Sequence, residues 1–276
     1  MKRTTLLSAL LTLALVFSLF TCLTLGTSAA DKAPIALYLF DDENNIGKDD
    51  SGNGNDLVIN PKDENSDGVS WEDGKAIFTD EGALSTPENA DFTDSLTEAT
   101  FAIKFKAALD GKGTRTLLST GWSYHPAGFA LCLNGDQMIS NMYSCIKRND
   151  GDFNMNAISL FDEWHTLVFT VSVNDNKVVA YLDGVETANG TAAGYVANHP
   201  DVAFTIGGFA RNLECFTGEV EEAAVFDYAL TAAEVASLDM ASLKPAPAPD
   251  TGSALVAVAM LSAVAGGVVL SLKRRK

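Results

Sequence analysis

The sequence has few histidines, few cysteines and few basic residues. Three histidines and four cysteines occur in 276 residues, and 19 lysines and arginines stand against 36 acidic residues. The histidines and cysteines match no zinc-binding spacing, and the sequence contains neither a nucleophile elbow nor a phosphate-binding glycine loop. A formal charge of −17 repels nucleic acid and anionic lipid, which argues against both as partners.

Both ends of the chain are apolar and predict segments outside the globular part. Residues 1–30 combine a basic start, an apolar run and small residues at 28–30, which is typical of a secretory signal peptide. Residues 253–272 form a second apolar run that is long enough to cross a bilayer as a separate transmembrane helix. The basic residues 273–276 follow it and predict a cytoplasmic tail. We therefore expect the part between the two ends to lie outside the cell, at its surface.

The exported part is more acidic than the whole chain. Six of the 19 basic residues and none of the 36 acidic residues lie in residues 1–30 and 252–276. The remainder therefore holds 13 basic residues against 36 acidic ones, a net charge of −23. Such a surface suits cations as ligands.

A proline-rich spacer, residues 244–252, precedes the second apolar run and ends in Pro249-Asp250-Thr251-Gly252. A Pro-x-Thr-Gly sequence ahead of an apolar segment and a basic tail resembles the sorting signal of Gram-positive surface proteins. The resemblance implies that a sortase cuts between Thr251 and Gly252 and joins Thr251 to the cell wall, although Ala248 replaces the leucine usual in that family. The alternative is a plain membrane anchor.

The globular part, residues 31–243, has the period of two that is typical of strands. Phe101, Ile103 and Phe105 share one face of a predicted strand, and alternate residues of 165–173 do the same. Further predicted strands cover residues 35–40, 75–79, 128–133, 178–182, 202–206 and 220–226. Turn-forming Asn, Asp and Gly separate these runs. The pattern predicts an all-β antiparallel β-sandwich with one short C-terminal helix over residues 232–243.

Three blocks of sequence resemble a laminin-G-like, concanavalin A-like jelly roll. They are Tyr38-Leu39-Phe40-Asp41 with the Ser51-Gly52-Asn53-Gly54 loop, the hairpin from Trp164-His165 to Tyr181-Leu182-Asp183-Gly184, and the closing run from Phe216 to Glu234. The blocks keep the order and spacing of that family over essentially the whole exported domain. The resemblance implies a jelly roll of the type found in lectins and glucanases.

The same resemblance implies a structural calcium ion. Asp41, Asn53 and Glu221 are the expected ligands if the first and last strands are neighbours, because calcium prefers carboxylate and amide oxygens. The alternative is that residues 41–56, DDENNIGKDDSGNGND, form a polar, solvated loop.

The adjacent Glu221 and Glu222 raise the question of catalysis. Neighbouring residues of a regular strand point to opposite faces, so this pair is not expected to act on one bond. Glu219 and Glu221 share a face, but the third acid of the laminarinase-type pattern is absent. We therefore predict that the protein is not an enzyme, with an exported glycoside hydrolase as the least favoured alternative.

A sugar-binding site is predicted in the loops. Jelly-roll lectins stack aromatic rings on sugars, and Trp122 and Tyr124 lie in a predicted loop at a hairpin end. Tyr143, Arg211 and Asn212 are the candidates for hydrogen bonds to the hydroxyl groups. The competing interpretation is that Trp122 closes one end of the core, where we also expect Trp71 and Trp164.

These observations predict a surface-anchored, non-catalytic module that binds carbohydrate or a related extracellular ligand. The alternative function is a surface adhesin or assembly protein that makes protein contacts.

Overall fold

The computed structural model describes residues 33–246, apart from gaps at residues 62, 64–65, 67, 88–91, 94–95, 109–113, 121–129, 135–136, 140–160, 193–202 and 209–214. The chain divides into two units, Met1–Lys244 and Pro245–Lys276, and the elements below belong to the first. No helix within this described part is long and apolar enough to cross a membrane. The predicted signal peptide, the sorting residues and residues 253–272 lie outside the described residues.

Strands make up nearly all of the regular structure that is described. They are β1 Ala36–Tyr38, β2 Val58–Pro61, β3 Val69–Glu72, β4 Lys75–Thr79, β5 Gly82–Ser85, β6 Glu98–Ala107, β7 Thr114–Ser119, β8 Ala130–Asn134, β9 Gln137–Ile139, β10 Trp164–Ser172, β11 Lys177–Leu182, β12 Val185–Gly190, β13 Thr205–Ile206 and β14 Thr217–Phe226. A short helix, α1 Ala232–Ala236, and a 3-10 turn, Ala241–Leu243, follow.

The strands form two antiparallel sheets. The larger has the order β12-β11-β10-β6-β14-β4-β3, with β1 also paired to β14, and the smaller has the order β2-β5-β13-β7-β8-β9. In the β1–β14 pair, Ala36 lies opposite Val225 and Tyr38 opposite Ala223. The structure therefore confirms the predicted antiparallel sandwich, and it makes the first and last strands neighbours.

The main core joins the inward faces of the two sheets. Phe101, Phe105 and Phe169 of the larger sheet and Leu118 and Ile206 of the smaller sheet belong to one buried cluster. Their alternation along the strands is the period of two read from the sequence. A buried face of this size is the main source of stability for a sandwich of this length.

A second, smaller core lies on the outer face, which is the side of the larger sheet turned away from the smaller sheet. Phe226 packs there with Val235 of α1 and with Met240. α1 begins with a capping box, in which the Thr231 hydroxyl accepts from the Glu234 N–H and the Glu234 carboxylate accepts from the Thr231 N–H.

The helix itself is shorter than predicted. It ends at Ala236 because Ser237 follows with a non-helical backbone, and the Ser237 hydroxyl donates to the carbonyls of Ala233 and Glu234. The C-terminal segment thus packs onto the outer face through a single helical turn and the 3-10 turn after it.

Candidate functional site

The residues predicted to bind sugar lie outside the described residues. These are Trp122, Tyr124, Tyr143, Arg211 and Asn212. The sorting residues Thr251 and Gly252 are outside them as well. The site predicted from the aromatic loop therefore stays a prediction, and the described charged groups form two other clusters.

The first cluster is built around Asp49, in the loop after β1. Its carboxylate accepts hydrogen bonds from the backbone N–H groups of Leu37, Ser51 and Asn55 at 2.9 Å each, and from the Ser51 hydroxyl at 2.8 Å. The bond from Ser51 closes an Asx turn, which is the local reason for an Asp two residues before Ser51. Asp49 is 7% exposed, so this side chain fastens the loop to β1.

Tyr38 secures the same loop from inside the sandwich. Its hydroxyl donates to the carbonyl of Asn55 at 2.8 Å, and the Asn55 side chain donates to the carbonyl of Ile35 at 2.7 Å. Burial, with smaller contributions from the charges of Asp49 and Asp56, raises the pKa of the Tyr38 hydroxyl. The hydroxyl is therefore protonated and available as a donor at any physiological pH.

The same loop contributes two further carboxylates, Asp41 and Asp50, and one lysine, Lys48, and these residues meet Lys244 from the C-terminal end of the domain. Asp50 Oδ1 is 2.9 Å from Lys48 Nζ and 3.0 Å from Lys244 Nζ. Asp41 Oδ2 is 2.5 Å from Lys244 Nζ, and Asp41 Oδ1 is 3.7 Å from Lys48 Nζ. We call these four residues the lysine clamp. The hydrogen bond from Lys244 lowers the pKa of Asp41, and the same bond raises the pKa of Lys244.

The three predicted calcium ligands have other partners. Asp41 belongs to the lysine clamp, and Glu221 Oε2 is 2.7 Å from Lys104 Nζ. The side-chain amide of Asn53 donates to the carbonyls of Pro34 and Ile35. Among the described residues, no group of three or more His, Cys, Asp or Glu side chains could hold a metal ion. As arranged here the three ligands do not fit calcium, and calcium binding stays a prediction.

The second cluster lies on the outer face, where a β-bulge changes the direction of the paired glutamates. Val220 lies opposite Phe105 and Glu222 opposite Lys104, so Glu221 is the extra residue in β14. Glu221 reaches Lys104 at 2.7 Å, which places both glutamates beside the same lysine. The prediction that Glu221 and Glu222 point to opposite faces was wrong, because strict alternation holds only for a regular strand.

Lysines from the neighbouring strands neutralise these acids. Glu219 lies 2.9 Å from Lys75 and 3.7 Å from Lys106, measured between ammonium nitrogen and carboxylate oxygen. Glu222 is half-buried, and burial raises its pKa while the nearby Lys104 opposes that rise. Glu219 and Glu221 thus form ion pairs with lysines of β4 and β6 along the outer face, and Glu222 lies opposite Lys104.

Two of the tryptophans differ in their surroundings. Trp71 is half-buried, and its indole N–H donates to the carbonyl of Phe40 at 2.7 Å. Trp164 was predicted to be a core residue but is 37% exposed. It lies opposite Lys106 at the start of β10, on the outer face, whereas the next residue, His165, turns inward towards Phe105.

His165 and Asp183 lie at the open end of the β10–β11 hairpin, away from its turn. His165 Nδ1 is 2.8 Å from Asp183 Oδ2, and the Thr166 N–H donates to Asp183 Oδ1 at 2.9 Å. His165 and Asp183 belong to the first and last parts of the hairpin block that carries the sequence resemblance, and the structure brings them into contact. Its geometry explains that motif as a means of fixing the hairpin register.

Residues 78–236 match the model of the Laminin_G_3 family, the concanavalin A-like lectin/glucanases superfamily. The chain belongs to this superfamily. The matched segment begins at the end of β4 and extends to the end of α1, so it includes the β14 bulge and the His165–Asp183 hairpin. No protein with a curated description matches the chain.

Solved structures share the concanavalin A-like fold at low sequence identity. Domain 4 of AbnA, a GH43 extracellular arabinanase from Geobacillus stearothermophilus, in complex with arabinotriose, has a TM-score of 0.59 and 21% identity, covering 78% of this chain and 99% of that one. The botulinum neurotoxin serotype D/C binding domain has a TM-score of 0.54 and 11% identity, with 78% and 53% covered. The binding domain of Paraclostridial Mosquitocidal Protein 1 has a TM-score of 0.53 and 14% identity, with 76% and 52% covered.

Sequence reasoning missed the residues that organise this concanavalin A-like domain around its first loop. Asp49, Asp50 and Lys48 were not predicted as site residues, and their loop, residues 41–56, was expected either to bind calcium or to be solvated. Lys244 was assigned to the proline-rich spacer, residues 244–252. Both aspartates are buried. The Asp-x-Ser spacing of an Asx turn was the one local signal available for Asp49, and nothing local connects Lys244 to a loop some 200 residues earlier.

Proposed function

We propose that this protein is a surface-anchored, non-catalytic jelly-roll module that binds carbohydrate or a related extracellular ligand. The observation that carries the proposal is the sandwich itself, which is shared with almost the whole of domain 4 of a GH43 arabinanase, in complex with arabinotriose. That likeness covers 99% of that domain, so the part that the two proteins share is a complete domain. The binding residues proposed for this chain are Trp122 and Tyr124, supported by Tyr143, Arg211 and Asn212.

A non-catalytic role is supported by the state of the acids on β14. A glycoside hydrolase needs two carboxyl groups that face one bond, about 5–10 Å apart. Glu219 and Glu221 are instead paired with lysines, and Glu222 faces Lys104 on the outer face. We therefore propose that a bound sugar is held without being cleaved.

The test uses the full chain on an array of oligosaccharides that includes arabino-oligosaccharides. We expect saturable binding to one sugar class, lost in Trp122→Ala or Tyr124→Ala while far-UV circular dichroism stays unchanged. Trp164→Ala is the matched control, because it removes an exposed tryptophan from the outer face and should leave binding intact. Release of reducing ends from the bound sugar should not exceed the background without protein.

A second function, protein contact, is favoured by one feature of the surface. Val58 and Ile59 of the edge strand β2 are 48% and 42% exposed, and an edge strand with apolar side chains can pair with another chain. If the sugar array is blank for a folded protein, the carbohydrate proposal fails. Binding to a surface protein that is lost in Val58→Lys would then establish the second function.

A further inference from the structure

Asp50 is a buried carboxylate whose ion-pair partners, among the residues that the structure describes, are two lysines. Its side chain is 2% exposed, and Oδ1 lies 2.9 Å and 3.0 Å from the ammonium groups of Lys48 and Lys244. The second oxygen, Oδ2, is buried and accepts no hydrogen bond from the described part of the chain. Burying a charge is costly unless it is paired, so the two lysines are what make a charged Asp50 tolerable here.

The lysine clamp has no net charge. It holds two carboxylates, Asp41 and Asp50, and two ammonium groups, Lys48 and Lys244, so its formal charge is zero. A divalent cation at this place would meet two positive charges within contact distance of the same oxygens. The neighbouring carboxylate, that of Asp49, is also not free to bind a cation, because its two oxygens accept four hydrogen bonds.

We propose that the ammonium groups of Lys48 and Lys244 take the place of a calcium ion in this loop. They neutralise Asp41 and Asp50, so the domain folds without bound calcium. Lys244 is the last residue of its unit, and its partners Asp41 and Asp50 lie in the loop after the first strand. Lys244 therefore fastens the C-terminal end of the domain to its beginning, and a chain cut before residue 244 would lose this connection.

The experiment measures thermal unfolding of the full chain by circular dichroism. Wild-type protein should show the same Tm, within about 1 °C, in excess calcium and in excess EDTA. Lys48→Met combined with Lys244→Met leaves the buried Asp50 charge unpaired and should lower Tm by about 6 °C or more. Adding Asp50→Asn to that double variant removes the charge and should recover most of the loss.

Lys75→Met is the matched control, because Lys75 pairs with Glu219, a carboxylate that is 28% exposed. This variant should lower Tm by less than about 2 °C. The proposal is overturned if calcium raises the wild-type Tm in a saturable way. It is also overturned if the double-lysine variant unfolds within about 2 °C of Lys75→Met, or if Asp50→Asn brings no recovery. Sugar binding plays no part in these measurements, so their outcome is independent of the proposed function.

Discussion

Replacing Asp49 by alanine should destabilise the domain more than the loss of any exposed carboxylate. The substitution leaves the buried Leu37 N–H without an acceptor, which costs about 1–3 kcal/mol. It also removes the three bonds from Ser51 and Asn55, whose groups water can partly reach, at about 0.5–1 kcal/mol each. The total is about 2.5–6 kcal/mol, which corresponds to a Tm lower by about 5–24 °C for a domain of this length.

The assay is thermal and urea unfolding of the full chain, followed by circular dichroism. Asp49→Asn is an informative second variant, because the amide keeps one acceptor oxygen but turns an NH₂ group towards the other two donors. It should therefore lose at least half as much stability as Asp49→Ala. Asp42→Ala is the control, since Asp42 accepts one exposed local bond from Asn44 and should cost under about 1 kcal/mol.

Equal unfolding temperatures for Asp49→Ala and Asp42→Ala would refute the reasoning. That result would mean that the four donors find water or other acceptors at no cost, and that the loop isn't fastened to β1 through Asp49. A change in the urea m-value without a change in midpoint would also contradict it, because the argument concerns the stability of the folded state.

Two further predictions concern the outer face and the core. Burial raises the pKa of Glu222, so its ionisation opposes folding and stability falls as pH rises from the ordinary glutamate pKa through the raised one. Glu222→Gln should therefore raise the free energy of unfolding at pH 7 by less than about 1 kcal/mol, which would appear as a slightly higher Tm. The gain should vanish below the ordinary glutamate pKa, and a gain that persists in acid would contradict this. Gly207 has φ +78° and a Cβ there would lie 2.1 Å from the Phe78 ring, so Gly207→Ala should cost more than about 3 kcal/mol in urea unfolding. Gly74 has φ +76° with open space around it, so Gly74→Ala should cost only about 1 kcal/mol, and equal costs at the two positions would refute the steric argument.

The regular strands could be predicted because their signal is local. Phe101, Ile103 and Phe105 alternate with smaller or polar residues, and the structure buries them on the inward face of β6. Several other strands gave no such signal. β5, Gly82–Ser85, is buried throughout, so it has no polar side to alternate with, and its place in the smaller sheet depends on its neighbours β2 and β13.

The fold class was therefore determined by the sequence alone, through the period of two and the three motif blocks that mark the family. The directions of Glu221 and Glu222 were decided by tertiary structure, because the bulge arises from the pairing of β14 with β6. Tertiary structure also decided the burial of Asp50 and its pairing with Lys244, whose other partner, Asp41, is 203 residues earlier in the chain. A local pattern can specify which residues face inward along one strand. Contacts between distant segments depend on the packing of the whole sandwich, and no single segment encodes them.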